Sequence, residues 1–196
     1  MSDILSDSKN SVLIVSDIFG ISTAFLSLLK DINIIDIAVV ISPYQHVQTH
    51  FENEQQAYQC FQDNGGMDAY ILSVTESLKS NLGITKIVGF SAGAAAIYSV
   101  MSNLTKNDIP LTLFYPGQIR HFLNLHPSCP CHIIFPESES HFLLPDVIKV
   151  LKKQSNIKVE QNTYQHGFMN KDSKSFDLTA YNYYCQMLRE LLTNRT

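Results

Sequence analysis

Short, largely apolar runs recur along this chain, each followed by a longer amphipathic stretch, and that alternation restricts its fold more than any other feature. Val12–Val15, Ile37–Ile41, Lys86–Phe90, Leu111–Tyr115, His132–Phe135 and Lys158–Tyr164 read as strands. Most are apolar on successive residues, as strands covered on both faces of a parallel sheet are. Helices are predicted between them: from an N-cap at Ser22 to about Lys30, over Glu52–Phe61, Met67–Asn81 and Ala92–Ser102, from Pro145-Asp146 onward, and over Lys174–Leu192. Strands alternating with helices, joined by right-handed crossovers, give an α/β chain folded as a doubly wound, three-layer, mostly parallel sandwich. No internal repeat or low-complexity tract competes with that reading.

At 196 residues the chain suits one domain, expected to span 1–196. Hydrophobic residues are 45% and charged residues 16% of the chain, against about 25% charged in an average soluble protein, which excludes intrinsic disorder. Basic residues number 14 and acidic ones 18, and no basic run exceeds Lys152-Lys153. The electrostatic footprint of a nucleic-acid binder is missing. The stretch Ile87–Met101 is interrupted by Ser91, Gly93 and Ser99 and falls short of the roughly 20 apolar residues of a membrane span. Met1–Asn10 is polar and acidic, unlike a secretory signal. Cys60, Cys129, Cys131 and Cys185 then read as reduced thiols. The expectation is a cytoplasmic protein with no membrane partner; oligomeric state leaves no mark on the sequence.

Gly89-Phe90-Ser91-Ala92-Gly93 is a G-x-S-x-G pentapeptide. Its weight comes from its setting, after an apolar strand and before an Ala-rich helix, where such a serine sits on a sharp strand-to-helix turn. The competing account is that Ser91 merely caps that helix. A serine hydroxyl also needs a base to take its proton and a carboxylate to orient that base. His166 opens a loop past the last predicted strand, on the sheet edge where ligands bind in open α/β folds. His121 and His126 lie in a polar connection, His132 starts a strand, and His141 sits beside the acid candidates. Past the strand His132–Phe135, Glu137 and Glu139 both qualify as the acid by position; Asp108, Asp146 and Glu160 fall in a loop, a helix first turn and a strand. Tyr115 ends a strand on the same sheet edge as Ser91 and is placed to line the pocket.

Four segments together resemble the dienelactone hydrolase family of the α/β-hydrolase fold: Asp17-Ile18-Phe19-Gly20, Gly89–Ala94, Pro136-Glu137-Ser138-Glu139 with Leu144-Pro145, and His166-Gly167-Phe168. They occur in that family's order. The resemblance implies Ser91 as nucleophile, Glu139 as acid, His166 as base, and an oxyanion hole from the backbone N–H groups of Ala92 and Ile18. It implies no metal or organic cofactor and places Asp17 and Phe19 at the substrate. The chain departs from the family's familiar pattern in carrying Ser91 where a cysteine is usual and Glu139 where an aspartate is usual. The implied activity is cleavage of a small carboxylic ester or lactone through an acyl-enzyme. Thioester hydrolysis or acyl transfer would use the same three residues, and a hydrolase-shaped binding protein is the reading from a different class. Cys129-Pro130-Cys131 has no second ligand pair and reads as thiols packed into a strand rather than a zinc site. His46, His50 and Glu52 read as a polar loop.

Overall fold

The structure is a computed structural model and describes residues 11–45, 47–80, 83–104 and 108–193. In chain order the elements are β1 (Ser11–Val15), α1 (Thr23–Asp31), β2 (Ala38–Ile41), α2 (Glu54–Asp63), α3 (Gly66–Ser80), β3 (Ile84–Phe90), α4 (Ala92–Asn103), β4 (Leu111–Phe114), β5 (Cys131–Phe135), α5 (Leu144–Leu151), β6 (Ile157–Gln161) and α6 (Leu178–Thr193). The six strands make one sheet in the order β2-β1-β3-β4-β5-β6, with every neighbouring pair parallel. Val15 stands opposite Ile41 on one side and Gly89 on the other, and Gly89 stands opposite Leu113.

Alternating side chains divide the core into two layers. Leu13 and Val15 pack with Tyr70 and Val74 of α3 and Ala96 and Ile97 of α4. Val12 and Ile14 pack on the opposite face with Phe25 and Leu28 of α1 and Tyr184 and Leu188 of α6. Each such burial contributes about 1.5–3 kcal/mol, and a strand buried on both faces gains from every residue. α1 and α2 start on side-chain caps: Ser22 Oγ accepts from the Phe25 N–H at 3.2 Å, and Asn53 Oδ1 from the Gln56 N–H at 2.9 Å.

The chain leaves β1 for one edge of the sheet, then returns to lay β3 to β6 on the other side. Between β1 and β3 the winding reverses: α1 covers one face and α4 the other. Loops leaving those two strands part there and open a crevice at their C-terminal ends.

The expected α/β sandwich is what the structure holds; several boundaries are corrected. β6 ends at Gln161, not Tyr164, because Asn162 Oδ1 accepts the Tyr164 N–H at 3.0 Å and turns the chain out of the sheet. α6 starts at Leu178, not Lys174. Residues 170–177 form successive turns instead, and Asp177 Oδ1 accepts the Ala180 N–H at 2.8 Å to open the helix. β4 stops at Phe114, and Tyr115 turns away with φ +38°. The connection carrying His121 contains a 3₁₀ turn, Gly117–His121. Met1–Asn10, His46 and Asn81 lie outside the described residues. Among the described residues, no helix is long and apolar enough to cross a membrane.

Candidate active site

Ser91 stands between β3 and α4 with φ +49° and ψ −114°, a region a non-glycine residue enters only when its surroundings force it. Gly89 and Gly93 make the turn possible by their lack of side chains. A Cβ on Gly93 would lie 2.2 Å from the Ser16 carbonyl oxygen, and one on Gly89 would lie 2.7 Å from Ala94 Cα. The strand and helix therefore cross at backbone contact, and the Ser91 side chain projects off the corner. It makes no capping hydrogen bond to α4. Its Oγ instead lies 2.9 Å from His166 Nε2.

His166 follows the Asn162 turn, in a loop whose shape depends on Gly167 at φ +91°, where a Cβ would meet Ser173 Oγ at 2.6 Å. On the far side of the imidazole, Nδ1 lies 2.8 Å from Glu139 Oε1. A carboxylate at Nδ1 keeps the proton on that nitrogen, so Nε2 accepts from the Ser91 hydroxyl. The Glu139 side chain is 8% exposed and the imidazole 32%. Glu137 points elsewhere: it is exposed, and its Oε2 accepts from Gln165 Nε2 at 3.0 Å. Its backbone serves the site, since the Glu137 N–H donates to the Tyr164 carbonyl at 2.7 Å and joins the two loops below the Glu139–His166 pair.

The loop after β1 faces the same crevice. The Asp17 carbonyl accepts from Ser16 Oγ at 3.0 Å and from the Gly20 N–H at 3.1 Å. The Ile18 carbonyl accepts from Tyr44 Oη at 2.7 Å, and the Thr49 hydroxyl donates to the Phe19 carbonyl. With the oxygens on both sides of it held, the Ile18 N–H keeps one direction. The Asp17 carboxylate accepts the Phe19 N–H at 2.9 Å and Asn170 Nδ2 at 2.7 Å. Burial nonetheless raises its pKa to about 6; those two hydrogen bonds and the charge of His166 oppose the rise.

These loops border a shallow cavity of about 30 Å³ that opens to solvent. Asp17, Ile18, Phe19, Ser91, Tyr115 and His166 line it, with Glu54 among the remaining residues. Glu54 pairs with the exposed Lys174 at 3.7 Å. Tyr115 is fully buried, its ring 5.0 Å from the imidazole, and burial holds its hydroxyl well above the usual phenol pKa.

Every residue assigned to the site from sequence thus gathers at one crevice: Ile18, Asp17, Phe19, Ser91, Tyr115, Glu139 and His166, with Ala92 opening α4 directly after Ser91. The other histidines weighed as the base lie apart. His132 Nε2 meets Glu160 Oε2 at 3.0 Å on the sheet, where burial lowers its pKa, while His121, His126 and His141 are exposed. Asn170, Tyr44, Ser16 and Thr49 had no sequence signal beyond being polar residues in loops. Among the described residues no three His, Cys, Asp or Glu side chains group as metal ligands, and Cys129 and Cys131 are buried free thiols.

No known protein-family model matches the chain. A Bacillus subtilis protein, the uncharacterized YczH, is 27% identical over 129 residues, covering 64% of this chain and 63% of its own length. The chain therefore aligns with less than two thirds of that relative. Solved structures match far more of it. A Xanthomonas campestris protein assigned to the α/β hydrolase superfamily superposes with a TM-score of 0.63 at 12% identity, over 94% of this chain and 98% of its own. A dienelactone hydrolase-like promiscuous phosphotriesterase from metagenomic libraries gives 0.59 at 11%, over 93% and 87%. Dienelactone hydrolase from Anabaena variabilis gives 0.59 at 11%, over 92% and 84%. The chain has the α/β-hydrolase fold.

Proposed function

We propose that this chain is a serine hydrolase that cleaves a small carboxylic ester or lactone through an acyl-enzyme. One observation carries the reading: Ser91 Oγ, His166 Nε2, His166 Nδ1 and Glu139 Oε1 form a continuous relay with links of 2.9 and 2.8 Å, and Ser91 and His166 line an open cavity. His166 Nε2 takes the Ser91 proton as the oxygen attacks the acyl carbon, and Glu139 holds the imidazole tautomer and stabilises the imidazolium. The N–H groups of Ala92 and Ile18 face the oxyanion, a contribution of about 3–4 kcal/mol per donor in such sites. His166 then gives its proton to the leaving alcohol. Water, deprotonated by the same nitrogen, releases the acid. The solved structures that share the fold, among them a dienelactone hydrolase, agree with hydrolysis in general.

The test is covalent labelling by a fluorophosphonate probe, together with turnover of p-nitrophenyl esters, lactones and acyl-CoA compounds. Labelling that disappears in Ser91→Ala, with turnover of esters or lactones, is the expected result. A folded chain that neither labels nor turns over any of them is a binding protein, and the proposal falls.

A further inference from the structure

One part-buried polar contact beside the site has no part in the relay. Asn170, four positions past His166, donates its Nδ2 to Asp17 Oδ2 at 2.7 Å across 153 residues of chain. Both partners are also held inside their own loops. Asp17 Oδ1 accepts the Phe19 N–H at 2.9 Å, and Asn170 Oδ1 accepts the Asp172 N–H at 2.8 Å. The bond therefore joins the turn that presents the Ile18 N–H to the turn that presents His166.

We infer that the Asp17–Asn170 hydrogen bond is a strap that sets the Ile18 N–H and the His166 imidazole at their working separation, which makes Asp17 and Asn170 positioning residues. The inference rests on the hydrolysis proposed above. Ser91 and Ala92 are chain neighbours, so the hydroxyl and one N–H are registered covalently. Ile18 and His166 have no such link. They leave β1 and β6, with β3, β4 and β5 between. Four strand spacings of about 4.8 Å separate those two strands, and small changes in sheet twist add up over that distance. A direct bond between the loops removes the accumulated error. Asp17 is 8% exposed, so water is poorly placed to replace the bond. On its outer side the His166 loop is anchored independently: Lys171 Nζ lies 3.0 Å from both Ser27 Oγ and Asp31 Oδ2 of α1. That anchor lets the loop fold without the strap.

The experiment is done on the full chain with p-nitrophenyl acetate. Asn170→Ala is expected to lower kcat roughly 10- to 100-fold with KM within about threefold, as a small misplacement of reacting groups does. Asp17→Asn alone sets an amide N–H₂ against a donor and is expected to lose a similar factor. Combining Asp17→Asn with Asn170→Asp reverses the direction of the bond while leaving the Phe19 and Asp172 N–H groups their acceptors. The combined variant is expected to regain kcat to within about fivefold of the unmodified chain. Hydrogen exchange in residues 16–20 and 166–170 should rise together in Asn170→Ala and recover in the combined variant.

The strap is overturned if Asn170→Ala keeps its kcat, or if a folded combined variant stays as impaired as the single ones. It is also overturned if exchange in the two segments does not change. A chain without ester turnover or labelling sinks the hydrolase reading alone, because the exchange measurement still decides whether the bond couples the loops.

Discussion

Two carboxylates lie near His166, and the contrast between their loops shows how surroundings set the behaviour of one functional group. Glu139 sits on the loop after β5 with its Oε1 against Nδ1 of the imidazole. Asp17 sits on the loop after β1, buried as well, and its oxygens accept from neutral donors, the Phe19 N–H and the Asn170 amide. A carboxylate against an imidazole has a partner that gains positive charge whenever Nε2 takes a proton. A carboxylate bonded to amides meets that charge only at longer range, so burial dominates and raises its pKa to about 6. In the mechanism proposed above, the first responds to proton transfer. The second is built to hold backbone.

The largest effect should come from the hydroxyl on the other side of the imidazole, at Nε2. Ser91→Ala is expected to lower kcat by on the order of a million-fold, measured by ester hydrolysis, if the relay acts as a unit. Glu139→Gln tests the first half of the contrast. It leaves the shape intact but favours the wrong tautomer, and should cost about 10⁴ in kcat; a loss near that of Asn170→Ala would erase the distinction between the two acids.

Asp17 is tested by stability. Its folded pKa lies above the ordinary value of 3.8, so the neutral acid is favoured in the folded chain. The stabilisation is full below pH 3.8 and is lost as pH rises through about 6. Urea unfolding at pH 4 and pH 7 should show Asp17→Asn gaining about 2 kcal/mol on the unmodified chain across that range. A pH-independent difference would mean that the carboxyl is not desolvated. The smallest effect belongs to Glu137, whose exposed side chain accepts from Gln165. Glu137→Gln should leave kcat within about twofold, since an exposed contact of this kind contributes little.

The fold was legible because its strands are buried on both faces and so write themselves as runs of apolar residues, as Val12–Val15 does. Ser91 was legible because a strand and helix crossing at backbone contact demand Gly89 and Gly93. His166 announced itself through the strand before it, although that strand ends earlier than its residues suggest: Asn162 turns the chain with a side-chain hydrogen bond that periodicity does not register. The choice between Glu137 and Glu139 could not come from spacing, since two residues apart in an irregular loop carry no phase. The resemblance implied Glu139, and the geometry puts Glu139 against the imidazole. Asn170 and Tyr44 were illegible for another reason. Their partners, Asp17 and the Ile18 carbonyl, lie 153 and 26 positions away, and a polar residue with a distant partner looks in sequence like any solvated one.

If the Ile18 N–H is the oxyanion donor proposed above, the hold of Tyr44 on the Ile18 carbonyl has a consequence for anyone who sets out to improve turnover. A peptide N–H is the same whatever residue carries it, so a library that randomises only the cavity walls leaves that donor as it was. Directed evolution for faster turnover should therefore collect substitutions at Ser16, Tyr44 and Thr49, positions that a search for contacts to a docked ligand would discard.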